Sequence, residues 1–214
     1  MNRRPIRHRT TWRMPRLQLA PVARVAPILA LSVALAGCAG LLDSDAPPAS
    51  EWWLEPVTPA ASVNRGMQSL ALDLTVVPGL DTDRILNLGP QARLNHYAGA
   101  HWPDHLPEVL GSVLARSFEG AGWRSVTEGV RARSPDDCLL RLETRAFHGR
   151  VDADKVTRRV EVRFDGELVC GDDARRISTR QDIPVAENRI ASIVAAFQAG
   201  LGASVNDLVG DMAP

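Results

Sequence analysis

Hydrophobic positions change their period several times along the chain, and each change marks an element. Over residues 68–77 they alternate, with Leu70, Leu72, Leu74 and Val76 on one side, which predicts a strand ended by Pro78-Gly79. Residues 85–88 predict a short extended piece before Gly89-Pro90, and residues 91–97 a second strand. From Pro103 the spacing becomes helical. Leu106, Val109, Leu110, Val113, Leu114 and Phe118 form one stripe, with Pro103 near the first turn, where proline is tolerated. Gly120 and Gly122 end that helix, and residues 123–127 return to strand.

The second half reads as a meander. Residues 138–148 and 156–170 are strand-like around the polar turn Asp152-Ala153-Asp154, and residues 175–183 form a third strand stopped by Pro184. A long helix closes the chain, with Ile190, Ile193, Val194, Phe197, Leu201, Val205 and Leu208 on one face. Two amphipathic helices must bury their stripes against a sheet of five or more strands. The expected class is α+β, with a mixed, largely antiparallel sheet.

Placing Cys138 opposite Cys170 sets a register for the central hairpin. Leu140 then faces Leu168, Leu142 faces Gly166, Thr144 faces Phe164 and Ala146 faces Val162, all on one mostly apolar side. The other side pairs Arg141 with Glu167, favourably, but Arg145 with Arg163. The charged run from Arg158 to Glu167 is therefore expected to be a solvated sheet face and not a binding strip.

Ahead of the domain stands the apolar stretch VAPILALSVALAGC, residues 25–38, preceded by seven arginines and no acids. It is too short for a permanent span, which needs about 20 apolar residues, and has the form of a secretory signal. Its end, Leu35-Ala36-Gly37-Cys38, resembles the lipobox of bacterial lipoproteins. That resemblance implies diacylglycerol on the Cys38 sulfur, removal of residues 1–37, and palmitate-type acylation of the new amino terminus. Residues 38–51 then read as the lipidated cysteine and a small, proline-bearing tether, and 52–214 as the folded domain. Residue 39 is alanine and not aspartate, which, by resemblance to the sorting rules of enterobacterial lipoproteins, implies the outer membrane, facing the periplasm. In that oxidising compartment Cys138 and Cys170, opposed in register, are expected to form a disulfide; two small buried apolar residues are the competing reading.

Losing the leader changes the charge. The whole chain balances 25 basic against 25 acidic residues; without the seven arginines 18 face 25, a formal −7. An acidic domain gains nothing from counterion release on nucleic acid, and its sparse aromatics do not alternate with basic residues. No phosphate loop, nucleophile elbow or kinase signature is present. His96, His101 and His105 lie close in sequence, but Pro103 interrupts any shared helix face and no glutamate stands where a zinc protease needs its base.

A second resemblance covers most of residues 52–127. Trp53-Leu54-Glu55-Pro56, LALDLTVVPGLDTDRILNLG, Leu94-Asn95-His96-Tyr97 and Ala100-His101-Trp102-Pro103-Asp104-His105-Leu106-Pro107 together look like the ABC-type transport auxiliary lipoproteins, the PqiC-like, paraquat-inducible family. The family implies a non-enzymatic accessory of intermembrane phospholipid transport, without cofactor. Its implied partners are an MCE-domain protein, ABC transporter components and further copies of the chain, and its implied effect is on membrane integrity. The matching motif makes Tyr97, Trp102 and Leu106 candidate partner contacts, with core packing the competing reading for Trp102 and Leu106. An envelope scaffold or regulator lipoprotein, such as a cell-wall synthase activator or secretion-pore assembly factor, and a hydrolase with an unrecognised site stay open beside it.

Overall fold

The computed structural model describes residues 49–60, 68–126 and 137–212, so Cys38, the leader and most of the tether lie outside the described residues. In chain order the elements are β1 (Ser50–Glu51), β2 (Ser69–Val76), β3 (Arg84–Leu88), a 3-10 turn (Pro90–Ala92), β4 (Leu94–His101), α1 (Leu106–Gly120), β5 (Arg124–Val126), β6 (Cys138–Val151), β7 (Thr157–Cys170), β8 (Asp173–Pro184) and α2 (Ile190–Met212). The fold is α+β, with a mixed, mostly antiparallel sheet of eight strands and two helices.

β6 is the axis of the sheet. One edge carries β7 and then β8, both antiparallel. The other edge carries two short strands end to end, each parallel to β6. β2 runs from Leu70 opposite Cys138 to Val76 opposite Thr144, and β3 pairs Asn87 with Gly149 and Leu88 with Arg150. β5 extends the sheet beyond β2, and β4 beyond β3. The chain already joins the sheet at Ser50, paired with Ala100, ahead of the expected domain start at residue 52.

The expected hairpin register holds from Cys138–Cys170 to Thr144–Phe164 and then shifts by one residue. Arg145 is the extra residue of a β-bulge. Ala146 therefore faces Arg163 and Phe147 faces Val162, in place of the expected Ala146–Val162 and Arg145–Arg163 pairs. The shift has two physical consequences. It separates two like charges, leaving Arg145 beside Glu143 at 2.6 Å and Asp165 at 3.5 Å. It also turns Phe147 inward, where it is 1% exposed. The bulge sits where β2 ends on Thr144 and before β3 begins, so the edge of β6 changes partner there.

A second difference concerns residues 91–97. Pro90 opens a 3-10 turn with Gln91 and Ala92 in left-handed backbone (φ 62 and 57), and the strand runs from Leu94 to His101 instead.

Both helices bury the expected stripes, except that Ile190 at the head of α2 is only partly buried. α1 packs on β2 and β5, and α2 on β7 and β8. Gly200 lies against Val162 on β7 and Ile183 on β8, so small residues on α2 allow close approach to the sheet. By length and composition α2 could cross a membrane, but over half of that apolar stretch is buried, as in a core helix. Trp102, Phe147 and Phe197 meet at the centre, Trp102 edge-on to Phe197 at 5.6 Å and Phe147 stacked on Phe197 at 4.7 Å. The helices scarcely touch each other, because residues 52–60 run as a strap between them. That strap has no ladder partner beyond Trp52, so side chains of both helices satisfy its backbone. Val57 N–H donates to Ser117 Oγ (2.8 Å), Glu55 N–H to Gln198 Oε1 (2.8 Å) and Ala60 N–H to Asn206 Oδ1 (2.9 Å).

Candidate functional site

Where β3 and β4 meet the start of α2, three separate stretches of chain, 87–97, 151–157 and 188–193, line a cleft of about 630 Å³. Asn87 on β3 and Tyr97 on β4 line it from the sheet, Asp152 and Lys155 from the turn between β6 and β7, and Arg189, Ile190 and Ile193 from the head of α2. Asn188 ties these parts together, its Oδ1 accepting from the Thr157 N–H at 3.0 Å.

Tyr97 crosses Gly149, where any Cβ would collide with the phenol, and its hydroxyl shares a 2.8 Å hydrogen bond with Thr157 Oγ1. Burial pushes the phenol above the ordinary tyrosine value and the Thr157 contact pulls it back, so Tyr97 stays neutral and can donate a hydrogen bond. Arg93, Lys155 and Arg189 make the lining basic. His96 accepts a 2.7 Å hydrogen bond at Nε2 from the Arg84 guanidinium, and Arg189 meets Glu187 at 3.1 Å. The lining acid, Asp152, is engaged by Arg158 at 2.7 Å. Chemically the cleft offers donors, cations and apolar walls.

Of the three residues named by resemblance, Tyr97 alone lines the cleft. Trp102 and Leu106 are 3% and 2% exposed and belong to the core. Cys138 and Cys170 form a disulfide between β6 and β7, far along the sheet from the cleft in register. The histidines take separate partners. His101 Nδ1 lies 2.9 Å from Asp83 and His105 Nδ1 2.8 Å from Asp81. The bond to His101 lowers Asp83 below the usual carboxylate range, and the bond to Asp81 raises His105 above the usual imidazole value. Among the described residues no three His, Cys, Asp or Glu side chains are grouped to hold a metal.

The exposed sheet face is a lattice of opposite charges. Arg141 lies between Asp73 and Glu167, Arg163 beside Asp165 at 2.8 Å, and Arg180 beside Glu161 at 3.1 Å. These three arginines are matched by carboxylates, and such pairs contribute little each. A smaller hollow of about 250 Å³ lies between α1 and Trp53, which is 68% exposed.

Sequence reasoning did not single out Asn87, Arg93, Lys155 or Arg189. One signal was present: Asn87 is the polar interruption of the apolar run Ile85-Leu86-Asn87-Leu88.

No family model matches the chain, and no curated protein matches it. Solved structures do. A crystal structure of a Xanthomonas campestris protein assigned to the family DUF330 superposes with a TM-score of 0.62 at 22% identity, covering 76% of this chain and 93% of that one. A crystal structure of an uncharacterized protein gives 0.62 at 14% identity, covering 78% of this chain and all of the other. At these identities the likeness establishes a shared fold.

Proposed function

We propose that the mature chain, from Cys38 onward, is a lipoprotein of the outer membrane, facing the periplasm. In this reading it serves without catalysis as an accessory to an ABC-transporter and MCE-protein system that moves phospholipid between membranes. The observation that carries the reading is the arginine-rich leader closed by Leu35-Ala36-Gly37-Cys38, joined to a domain whose two other cysteines are bridged. A disulfide of this kind is at home in an oxidising compartment. The motif resemblance over residues 52–127 supplies the transport role, and the tether supplies a high local concentration near whatever reaches the membrane.

The test has two parts. Cys38→Ser should leave the chain uncut or released from the outer membrane, and mass spectrometry should find acyl chains on the wild type alone. Photo-crosslinkers at the exposed Ala98 and Asp104 should capture an MCE-domain protein or a second copy, and loss of the gene should make the outer membrane leakier. Capture of a cell-wall synthase alone, with permeability unchanged, replaces the transport role with that of an envelope regulator.

A further inference from the structure

We propose that the cleft between the Pro90–Ala92 turn and the head of α2 binds a phosphate ester, with its phosphate on Arg93 and Lys155 and within reach of Asn87. The argument starts at the floor. Asn87 is 9% exposed, and among the described residues its carboxamide has no hydrogen-bond partner, although it lines the cleft. A carboxamide carries two N–H donors and an acceptor, and on the wall of the cleft these are left for a ligand. Its register partner Asn95 donates instead to the Arg93 carbonyl at 3.2 Å. Beside Asn87, the Tyr97 and Thr157 hydroxyls share one hydrogen bond between two O–H groups, which leaves one proton for a ligand.

The lip is cationic. Arg93 and Lys155 make no ion pair among the described residues, unlike the carboxylate-matched arginines of the sheet face. Arg189 stands opposite, at the amino end of a 23-residue helix whose first N–H groups favour an anion. A phosphate monoester brings nearly two negative charges and three acceptor oxygens, which suits several converging cations better than one carboxylate. Ile190, Ile193 and Val151 give the carbon part of the ester an apolar wall. A volume of about 630 Å³ is that of a small-molecule site. The backbone agrees with this placement. Gln91, Ala92 and Lys155 are the non-glycine residues with left-handed φ among the described residues, and they flank the two sides of this cleft.

The ester could be a lipid headgroup or a soluble metabolite, and both share this chemistry. The oxyanion follows from the geometry alone, whereas a lipid source rests on the proposed transport role. The full chain, extracted with its anchor into neutral detergent micelles, is titrated with glycerol 3-phosphate and, separately, with micelles doped with short-chain phosphatidic acid. Calorimetry gives the affinity, and amide NMR signals of Tyr97, Thr157 and Ile190 should move. The exposed double variant Arg93→Ser/Lys155→Asn should unfold at the wild-type temperature yet bind at least tenfold more weakly; asparagine tolerates the left-handed backbone at residue 155. Displacement of glycerol 3-phosphate by the doped micelles supports a headgroup, and binding indifferent to them supports a soluble ester. Binding of neither probe, or equal binding by the variant, overturns the proposal. Phosphate binding without any MCE crosslink would leave the cleft standing and remove the transport role; a crosslink without binding would do the reverse.

Discussion

Tyr97 rests on Gly149: the phenol occupies the space a Cβ would need and reaches Thr157 Oγ1 at 2.8 Å on the neighbouring strand. A methyl group there must push the ring off β6 and away from Thr157. Gly149→Ala is expected to cost about 1 to 3 kcal/mol through overpacking and to perturb the cleft. Tyr97→Phe keeps the ring and loses one hydrogen bond, for about 1 kcal/mol. Urea unfolding of both variants checks the order. Equal stability of Gly149→Ala and the wild type would show that the ring moves freely.

The Cys138–Cys170 bridge joins residues 32 apart in sequence, across directly paired positions of β6 and β7 with Cα atoms 4.2 Å apart. Closing a loop of that length in the unfolded chain is expected to stabilise the domain by about 3 to 4 kcal/mol on the chain-entropy argument. Cys138→Ser/Cys170→Ser should lose about that much in urea without changing the fold. Thiol labelling of the denatured, unreduced wild type should find neither cysteine reactive.

The parts of the fold legible in the sequence are those where one local pattern has one answer. The stripes from Leu106 to Phe118 and from Ile193 to Leu208 can be buried in a single way, and α1 and α2 bury them. Residues 91–97 misled because strand signals cannot reveal the left-handed pair Gln91 and Ala92, which delays β4 to Leu94. The cleft was illegible for a different reason. Asn87 and Arg93, Lys155, and Arg189 come from three stretches that only the pairing of β3 with β4 and β6, and the docking of α2, bring together. No spacing within one sequence encodes that meeting.

His148 carries a pH dependence. It is 8% exposed on β6, and Nε2 has no hydrogen-bond partner, with Glu161 at 3.7 Å. Burial lowers the imidazole below the ordinary histidine value, against the pull of Glu161 and with the push of Arg150. As pH falls the unfolded chain therefore takes up this proton first. The stability held by neutral His148 is full above about pH 6.5 and is lost as pH drops through the depressed folded value. His148→Phe should flatten that loss, and stability measured by urea at about pH 7.5 and 5.5 checks it. Parallel loss in the variant and the wild type would assign the acid sensitivity elsewhere.

The bulge at Arg145 gives the sharpest separation between a side chain and the residue that carries it. Alternation along Cys138, Leu140, Leu142 and Thr144 points these four inward, and continued without a break it would turn Ala146 inward and Phe147 out. Both are apolar, so the hydrophobic pattern alone does not choose between them. The structure chooses Phe147, which stacks on Phe197 at 4.7 Å and lies 5.8 Å from Trp102. Because side chains alternate with a period of two, absorbing Arg145 in a bulge is what brings Phe147 back to the inner face. Arg145→Ala keeps the count and gives up only exposed ion pairs with Glu143 and Asp165, so it should cost less than about 1 kcal/mol. Deleting Arg145 removes the extra residue and leaves Thr144, Ala146 and Phe147 in unbroken alternation opposite Phe164, Arg163 and Val162, so Phe147 should keep its place in the aromatic centre and Gly149 its place under Tyr97. Both variants should then keep the wild-type near-ultraviolet circular dichroism. Loss of that aromatic signal on deletion would mean that the bend at the bulge, and not residue count, is what seats Phe147.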